Sequence, residues 1–120
     1  MLTVTKIFEF EAAHCLPEYN GKCKNLHGHS YKLEVEVSGY VDEKHNKDKY
    51  PTMVVDFGKI KHIVSFKILD YYDHADLNKH FNFPTAEAMV QEMVVTLQEY
   101  FIVERVRLWE TSTSYAEWRK

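Results

Sequence analysis

The sequence predicts an α+β domain built on an antiparallel sheet. Two segments near the start of the chain and two near its end have the alternating or β-rich character of strands, whereas the middle carries apolar residues at helical spacing. Because strands and helices are grouped, the order ββααββ favours a four-stranded antiparallel sheet with two helices on one face. With 120 residues, 45% hydrophobic and 28% charged, the chain has the size and balance of one globular domain, residues 1–120.

The first two strands are predicted from residues that share a parity. In residues 31–41, a tyrosine, a leucine and several valines alternate with lysine, glutamate and serine, which is typical of a half-buried strand. The first segment alternates less cleanly, but His14 lies at the end of an apolar row that includes Phe8 and Phe10. An imidazole at the end of such a row indicates a specific role.

The two helices are predicted from capping residues and apolar spacing. A polar stretch at 41–51 indicates an exposed loop, and Asp56 is a good N-cap for the first helix. The second helix should open at Thr85, directly after Pro84, and run to about Phe101. Both segments place apolar residues three and four positions apart, so each helix has one face for the core.

The carboxyl-terminal residues 105–119 resemble two strands around a short turn of threonine and serine. Trp109, Tyr115 and Trp118 in this segment indicate more apolar surface than a monomer would expose to water. We therefore expect the chain to form oligomers.

Charge and cysteine content narrow the classes of partner. The formal net charge of −3 provides no large basic field, so neither nucleic acid nor an anionic membrane is the expected partner. Cys15 and Cys23 are too few for a disulfide framework and form no CxxC pair. The first ten residues lack the pattern of a signal peptide, and no apolar run is long enough to span a bilayer. We expect a cytoplasmic protein without export or membrane anchoring.

The segment "CKNLHGHSY" at 23–31 predicts a metal site. His27 and His29 are two residues apart in an extended segment, so their rings leave the backbone on the same side, and Gly28 between them removes a side chain that could crowd the site. With His14, three neutral imidazoles would leave a fourth tetrahedral position open, as in catalytic zinc sites. The alternative is a set of surface or hydrogen-bonded core histidines.

Cys23 is a candidate base or nucleophile. It lies in a polar loop between Lys22 and Lys24, and cationic neighbours are typical of reactive thiols. The alternative is a small buried apolar residue, which is the interpretation we favour for Cys15.

Asp73 and His74 form a second candidate acid–base pair. A carboxylate beside an imidazole can fix the tautomer of the ring and stabilise its proton. Adjacency in sequence does not establish contact, and a polar helix end with a capping histidine is the alternative.

Glu110 is a candidate binding residue. It shares parity with Val106 and Leu108, so an inward apolar row ends in a carboxylate whose burial is costly without a partner. A planar ligand with adjacent N–H donors, such as the amino-pyrimidinone edge of a pterin or guanine, would satisfy both oxygens. The alternative partner is an internal arginine, Arg105 or Arg119.

Taken together, the motifs resemble those of the 6-pyruvoyltetrahydropterin synthase family. The segments "FEAAH", "CKNLHGHSY", "VVDFGKIK", "YDHADLN", "FPTAE" and "WETSTSY" occur in the order of that family and span nearly the whole chain. The separation of the cysteine from the H-G-H pair by three residues is similar to that in the bacterial and archaeal members that serve queuosine biosynthesis. Tyr72 departs from the pattern, since an aliphatic residue usually precedes the Asp-His pair.

The resemblance implies a tunnelling fold with two antiparallel hairpins per subunit. Trimers would close a barrel, and two trimers would stack as a homo-hexamer with its sites at subunit interfaces. It also implies roles for the candidate residues: zinc ligands His14, His27 and His29, proton-transfer residues Cys23, Asp73 and His74, and a pterin anchor, Glu110.

The implied reaction converts 7,8-dihydroneopterin triphosphate to 6-carboxytetrahydropterin with loss of acetaldehyde and triphosphate, a zinc-dependent lyase reaction. Three alternatives stay open: a pyruvoyl-forming synthase with the same metal and pterin sites, a non-catalytic zinc- or pterin-binding module, and a structural oligomer with a closed zinc site. In the last of these, Cys23 would be the fourth ligand.

Overall fold

The structure is a computed structural model that describes residues 1–120, and its centre is a five-stranded sheet. The strands lie in the order β3-β1-β2-β4-β5, and all neighbours are antiparallel except β3 and β1. Their bounds are β1 Leu2–His14, β2 His27–Gly39, β3 Ala75–Asp76, β4 Ile102–Thr111 and β5 Ser114–Arg119. The predicted α+β class and the four predicted strands are confirmed.

Strands β1 and β2 form a long hairpin that determines where the histidines lie. The pairing is continuous from Leu2 opposite Gly39 to His14 opposite His27, without a bulge. Because the side-chain period of a strand is two, His29 lies on the same face as His27. The pairing therefore brings three histidines from two strands to one end of the hairpin.

Strand β3 was not predicted from the sequence. It is only two residues long, and it pairs in parallel with Ala12 and Ala13 of β1. Two residues are too few to show an alternation of apolar and polar side chains, so the sequence carried no signal for it. The extra strand fixes the segment after Asp73 and His74 against β1.

The two main helices begin directly after the predicted N-cap residues. Helix α1 (Phe57–Val64) continues through a π-helical turn (Ser65–Leu69) into α2 (Asp70–Tyr72), and α3 spans Ala86–Gln98. The Asp56 side chain accepts a hydrogen bond from the Gly58 amide at 2.7 Å, which confirms the first cap. Thr85 caps α3 in the same way. Helix α3 ends at Gln98, three residues before the predicted end.

One face of the sheet and the helices enclose a core of 22 buried apolar residues. Trp118, which we assigned to exposed apolar surface, packs against this core. The opposite face is more polar than expected, because the Trp109 indole donates a hydrogen bond to Glu34 and Lys32 lies 4.6 Å above the Trp109 ring. The aromatic residues of the tail are therefore only partly available for contacts between subunits.

The subunit is elongated, with principal extents of 55 × 23 × 22 Å. The Cα radius of gyration is 16.1 Å, whereas a compact chain of this length would have about 14 Å. None of the helices has the length and apolar character needed to cross a membrane.

Candidate functional site

The three predicted metal ligands converge at the end of the β1–β2 hairpin. One ligand atom from each of His14, His27 and His29 lies within 4.8 Å of the other two. The ring centroids are 4.6 to 5.1 Å apart, and each pair of rings meets edge to face. His14 is only 1% exposed, so the group closes off the core at this end of the sheet.

Backbone carbonyls orient two of these rings. His14 Nδ1 is 2.6 Å from the Pro84 carbonyl and His27 Nδ1 is 2.7 Å from the Asn25 carbonyl. A carbonyl only accepts hydrogen bonds, so both Nδ1 atoms carry the proton and both neutral rings present an Nε2 lone pair. This carbonyl-supported arrangement is common for metal-binding histidines.

The spacing of those lone pairs fits a shared cation. His14 Nε2 and His27 Nε2 are 3.1 Å apart, and two lone pairs at that distance repel each other unless a positive charge lies between them. Tetrahedral zinc with nitrogen ligands at about 2.0–2.1 Å would hold neighbouring nitrogens about 3.3 Å apart. The donor set and its spacing therefore fit a metal of the zinc type.

His29 completes the group from the next inward position of β2. Its Nε2 atom is buried without a hydrogen-bond partner, and the nearest carboxylate oxygen, Glu110 Oε1, is 3.6 Å away, too far for a hydrogen bond. Burial lowers the pKa of His29 despite the opposing effect of Glu110, and the charges of the other two histidines lower it further. The ring is thus held in the neutral form that binds a metal.

Glu110 has no arginine partner. Both predicted alternatives, Arg105 and Arg119, pair with Glu117 instead, at 3.6 and 2.6 Å. The Glu110 side chain is 31% exposed, and His29 is the only basic side chain within 4.0 Å of its carboxylate oxygens. The carboxylate is therefore available to a ligand.

A cavity of about 250 Å³ adjoins Glu110. Its other lining residues come from the start of α3 and from β5, and they include Glu87, Ser114 and Tyr115. Glu87 is the acidic residue in the first turn of α3, and its place beside Glu110 is a finding of the structure.

Asp73 and His74 are in contact. His74 Nδ1 lies 3.0 Å from Asp73 Oδ1, and the same oxygen accepts a hydrogen bond from the Glu11 amide at 3.0 Å. That backbone hydrogen bond, more than the His74 ring, holds the pKa of Asp73 below its usual value. His74 has a left-handed backbone (φ 60°) and a side chain that is 79% exposed, so it projects into solvent rather than capping a helix.

A second cavity, of about 360 Å³, has one residue of this pair and one of the three histidines in its lining. These residues are His74 and His29, and Glu11 and Ser30 line the cavity with them. The pairing of β3 with β1 produces this arrangement, because it holds the chain after His74 against the strand that carries His14.

Cys23 is separate from both cavities within one subunit. It lies half-buried in a 3₁₀ turn, Lys22–Lys24, and its carbonyl accepts a hydrogen bond from the Leu16 amide at 2.7 Å. It is not among the residues that line either cavity. The structure of one chain therefore unites His14, His27, His29 and Glu110, and separately Asp73 with His74, but does not place Cys23 with them.

Comparison with known proteins places the chain among the pterin synthases. A family model described as 6-pyruvoyl tetrahydropterin synthase matches residues 3–120. The chain belongs to this family. It is 35% identical to the 6-carboxy-5,6,7,8-tetrahydropterin synthase of Haemophilus influenzae over the full length of both chains. It is 34% identical to the protein of that name from Synechocystis sp., over 98% of this chain and 93% of the other.

A solved structure supports the same family. The Caenorhabditis elegans 6-pyruvoyl tetrahydropterin synthase superimposes with a TM-score of 0.82 at 26% identity, covering 99% of this chain and 95% of the other. The fold of the 6-pyruvoyl tetrahydropterin synthase family is thus shared over the whole chain.

Tyr72, the departure from the usual family pattern, is anchored to α3. It is buried, and its hydroxyl donates to Glu92, whose same carboxylate oxygen lies 2.6 Å from His80 Nε2. The pKa of Tyr72 is raised, mainly by burial and secondly by the hydrogen bond to Glu92. The contact ties the residue before Asp73 to a rigid helix, a link between distant segments that no local pattern reveals.

Tyr31 is a site neighbour that the sequence pattern did not single out. Its ring is 1% exposed and lies 5.6 Å from the His29 ring, and its hydroxyl has no hydrogen-bond partner. The pKa of Tyr31 is raised, mainly by burial and secondly by the negative charge of Glu110. Tyr31 is two residues from His29 on the same strand, so the sequence indicates that the two side chains share a face. We interpreted Tyr31 only as part of the apolar face.

Proposed function

We propose that the protein is a zinc-dependent carbon–carbon lyase. In this proposal it converts 7,8-dihydroneopterin triphosphate and one water to 6-carboxy-5,6,7,8-tetrahydropterin, acetaldehyde and triphosphate, as a step of queuosine biosynthesis. The observation that carries the proposal is the convergence of three histidines beside Glu110, an acid without an arginine partner. Relatives at 34–35% identity over nearly the whole chain bear the name of this synthase.

The metal would be held by the Nε2 atoms of His14 and His27 and by His29. Two Nδ1 protons are already committed to carbonyls, so these rings need no reorientation to bind. Three neutral nitrogens favour zinc and leave a position for substrate. Bound there, zinc would supply Lewis acidity to the side-chain hydroxyls of the substrate.

Glu110 would bind the pterin ring. The amino-pyrimidinone edge of a pterin presents two adjacent N–H donors, which match the two oxygens of one carboxylate. Since Arg105 and Arg119 pair with Glu117, no internal cation competes with this ligand. The cavity beside Glu110 provides the opening through which the ring reaches it.

Three side chains would take part in proton transfer, two of them directly. Cys23 would remove a carbon-bound proton beside the ring, and His74 would handle protons bound to oxygen. Asp73, fixed by the Glu11 amide, would orient the His74 ring and stabilise its charged form. A site shared between subunits, as the family resemblance implies, would bring Cys23 to the other groups.

The assembly would be a homo-hexamer made of two trimers. The elongated subunit and its radius of gyration of 16.1 Å suit a chain that completes its packing with other copies. Leu2 and Ile7 of β1 are 58% and 56% exposed, and such apolar side chains are candidates for contacts between subunits. Both cysteines are free, which suits the reducing cytoplasm.

Product analysis tests the proposed reaction. Zinc-loaded protein is incubated with 7,8-dihydroneopterin triphosphate, and the products are identified by mass spectrometry together with an assay for acetaldehyde. We expect 6-carboxytetrahydropterin and acetaldehyde in equal amounts. A pyruvoyl product without acetaldehyde would support the pyruvoyl-forming alternative, and tight binding of unchanged substrate would support a binding module.

A further inference from the structure

Two buried side-chain atoms in this structure have no hydrogen-bond partner, and they lie two residues apart on β2. They are His29 Nε2 and the Tyr31 hydroxyl oxygen. Buried polar groups are nearly always paired, so each of these calls for an explanation. The proposed metal explains His29, but Tyr31 is not in the ligand group, and its hydroxyl remains without an acceptor.

The strand register indicates an acceptor near Tyr31. Strands β2 and β4 pair Leu33 with Leu108 and Lys32 with Trp109, where the ladder ends, and the same register continued by one step would bring Tyr31 opposite Glu110. Residues opposite each other on one face of an antiparallel pair have Cβ atoms about 4.5–5.5 Å apart. The electrostatic influence of Glu110 at the phenol agrees with this placement.

Glu110 in turn lacks a donor. The only basic side chain within 4.0 Å of it is His29, whose Nε2 lies at 3.6 Å. Once that nitrogen binds a metal it has no proton to donate, so His29 cannot hold the carboxylate. A phenol donor without an acceptor and a carboxylate without a donor thus lie on neighbouring strands, beyond hydrogen-bond distance of each other in this structure.

We propose that Tyr31 is a positioning residue for Glu110: with metal and ligand bound, its hydroxyl donates a hydrogen bond to the carboxylate, which it does not reach in this structure, and fixes the plane in which Glu110 meets the ligand. The inference rests on the proposed function, because it assigns the metal to His29 and the pterin to Glu110. A carboxylate oxygen has two lone-pair sites, so one oxygen can accept from Tyr31 and from the ligand together.

The variant Tyr31→Phe tests this role in the zinc-loaded protein. Sepiapterin is titrated by calorimetry, with zinc content and the thermal melt measured on the same samples. We expect full zinc content, a cooperative melt and a sepiapterin Kd raised about tenfold, the effect of a lost hydrogen bond to a charged group. The matched control is Tyr72→Phe, a buried tyrosine bonded to Glu92, which should leave the Kd unchanged.

A double-mutant cycle with Glu110→Gln separates positioning from direct contact. If Tyr31 acts through the carboxylate, Tyr31→Phe should change the Kd less than about twofold in the Glu110→Gln background. An equal loss in both backgrounds, a wild-type Kd in Tyr31→Phe, or loss of zinc from that variant would each overturn the inference. Wild-type protein that binds zinc but no sepiapterin would overturn the proposed pterin site, and this inference with it.

Discussion

His29 lies between the two proposed functions of the site, metal binding and pterin binding. Its Nε2 atom belongs to the three-histidine group, and it also lies 3.6 Å from Glu110 Oε1. A metal on this nitrogen would occupy its lone pair and leave no proton there for the carboxylate. One imidazole would therefore couple metal loading to the state of the proposed pterin anchor.

Replacing Glu110 by glutamine tests the anchor. Glu110→Gln should weaken sepiapterin binding by about 2 to 4 kcal/mol, because a charge-assisted bond is lost and an amide donor faces a ligand donor. The melting temperature of the free protein should not fall, since no arginine depends on this carboxylate. Calorimetric titration and thermal melts measure the two effects. Unchanged affinity with a lowered melting temperature would remove Glu110 from the ligand site.

Replacing Cys23 tests the proposed base. Cys23→Ala should retain zinc and the fold but lose turnover by at least about a hundredfold, the lower range for a missing acid–base group. The matched control is Cys15→Ala, which removes the other free thiol and should leave most of the activity. Metal analysis and single-turnover kinetics check both variants, and an active Cys23→Ala enzyme would assign the base to another residue.

At the scale of elements, the segment from α1 to β3 shows what sequence patterns can and cannot predict. The cap at Asp56 is a local signal, and it predicted the start of α1 correctly. The two-residue β3 depends on its pairing with the distant β1, and the apolar spacing of this segment did not distinguish the π-helical turn from an α-helix. The same limit applies to the carbonyls of Pro84 and Asn25, because a backbone acceptor has no residue type that marks it.

The Asp73–His74 pair, to which we assign a role in proton transfer, lies in that segment. His74→Ala should lower turnover more than Asp73→Asn, because the aspartate orients and stabilises a ring that itself transfers the proton. The Glu11 amide holds Asp73, so Asp73→Asn should also loosen this turn slightly. Turnover of both variants at constant zinc content checks the order. Wild-type turnover in both would remove the pair from the mechanism.

At the scale of the whole molecule, a charged network covers the sheet face opposite the helices. Arg105 is 8% exposed and contacts Glu34, Glu36 and Glu117. Composition and parity predicted a face left uncovered by helices, but not that charges on three strands would pair across it. The pairing depends on the β2–β4 register and its irregularity after Glu36, which the sequence does not reveal.

This network predicts a pH dependence of stability. Burial raises the pKa of Glu34, but the Trp109 hydrogen bond and the charges of Arg105 and Arg107 outweigh it and lower the pKa overall. The stability from ionised Glu34 is therefore fully present above the unfolded pKa of about 4.3 and is lost as the pH falls through the lower folded value. Glu34→Gln should cost about 1 kcal/mol at pH 7 and progressively less below about pH 4.

Thermal melts from pH 7 to pH 3 measure this difference. The matched control is Glu9→Gln, an exposed glutamate on β1 whose replacement should have little effect throughout this range. A Glu34→Gln deficit that stays constant down to pH 3 would contradict the assigned shift.

The central claim, a three-histidine zinc site with an open position, is tested most directly by X-ray absorption at the zinc edge of the zinc-loaded protein without substrate. We predict three nitrogen neighbours at about 2.0–2.1 Å and one oxygen neighbour from solvent, with no sulfur. A sulfur neighbour at about 2.3 Å would identify Cys23 or Cys15 as a fourth ligand, which would make the site closed and structural and contradict the account.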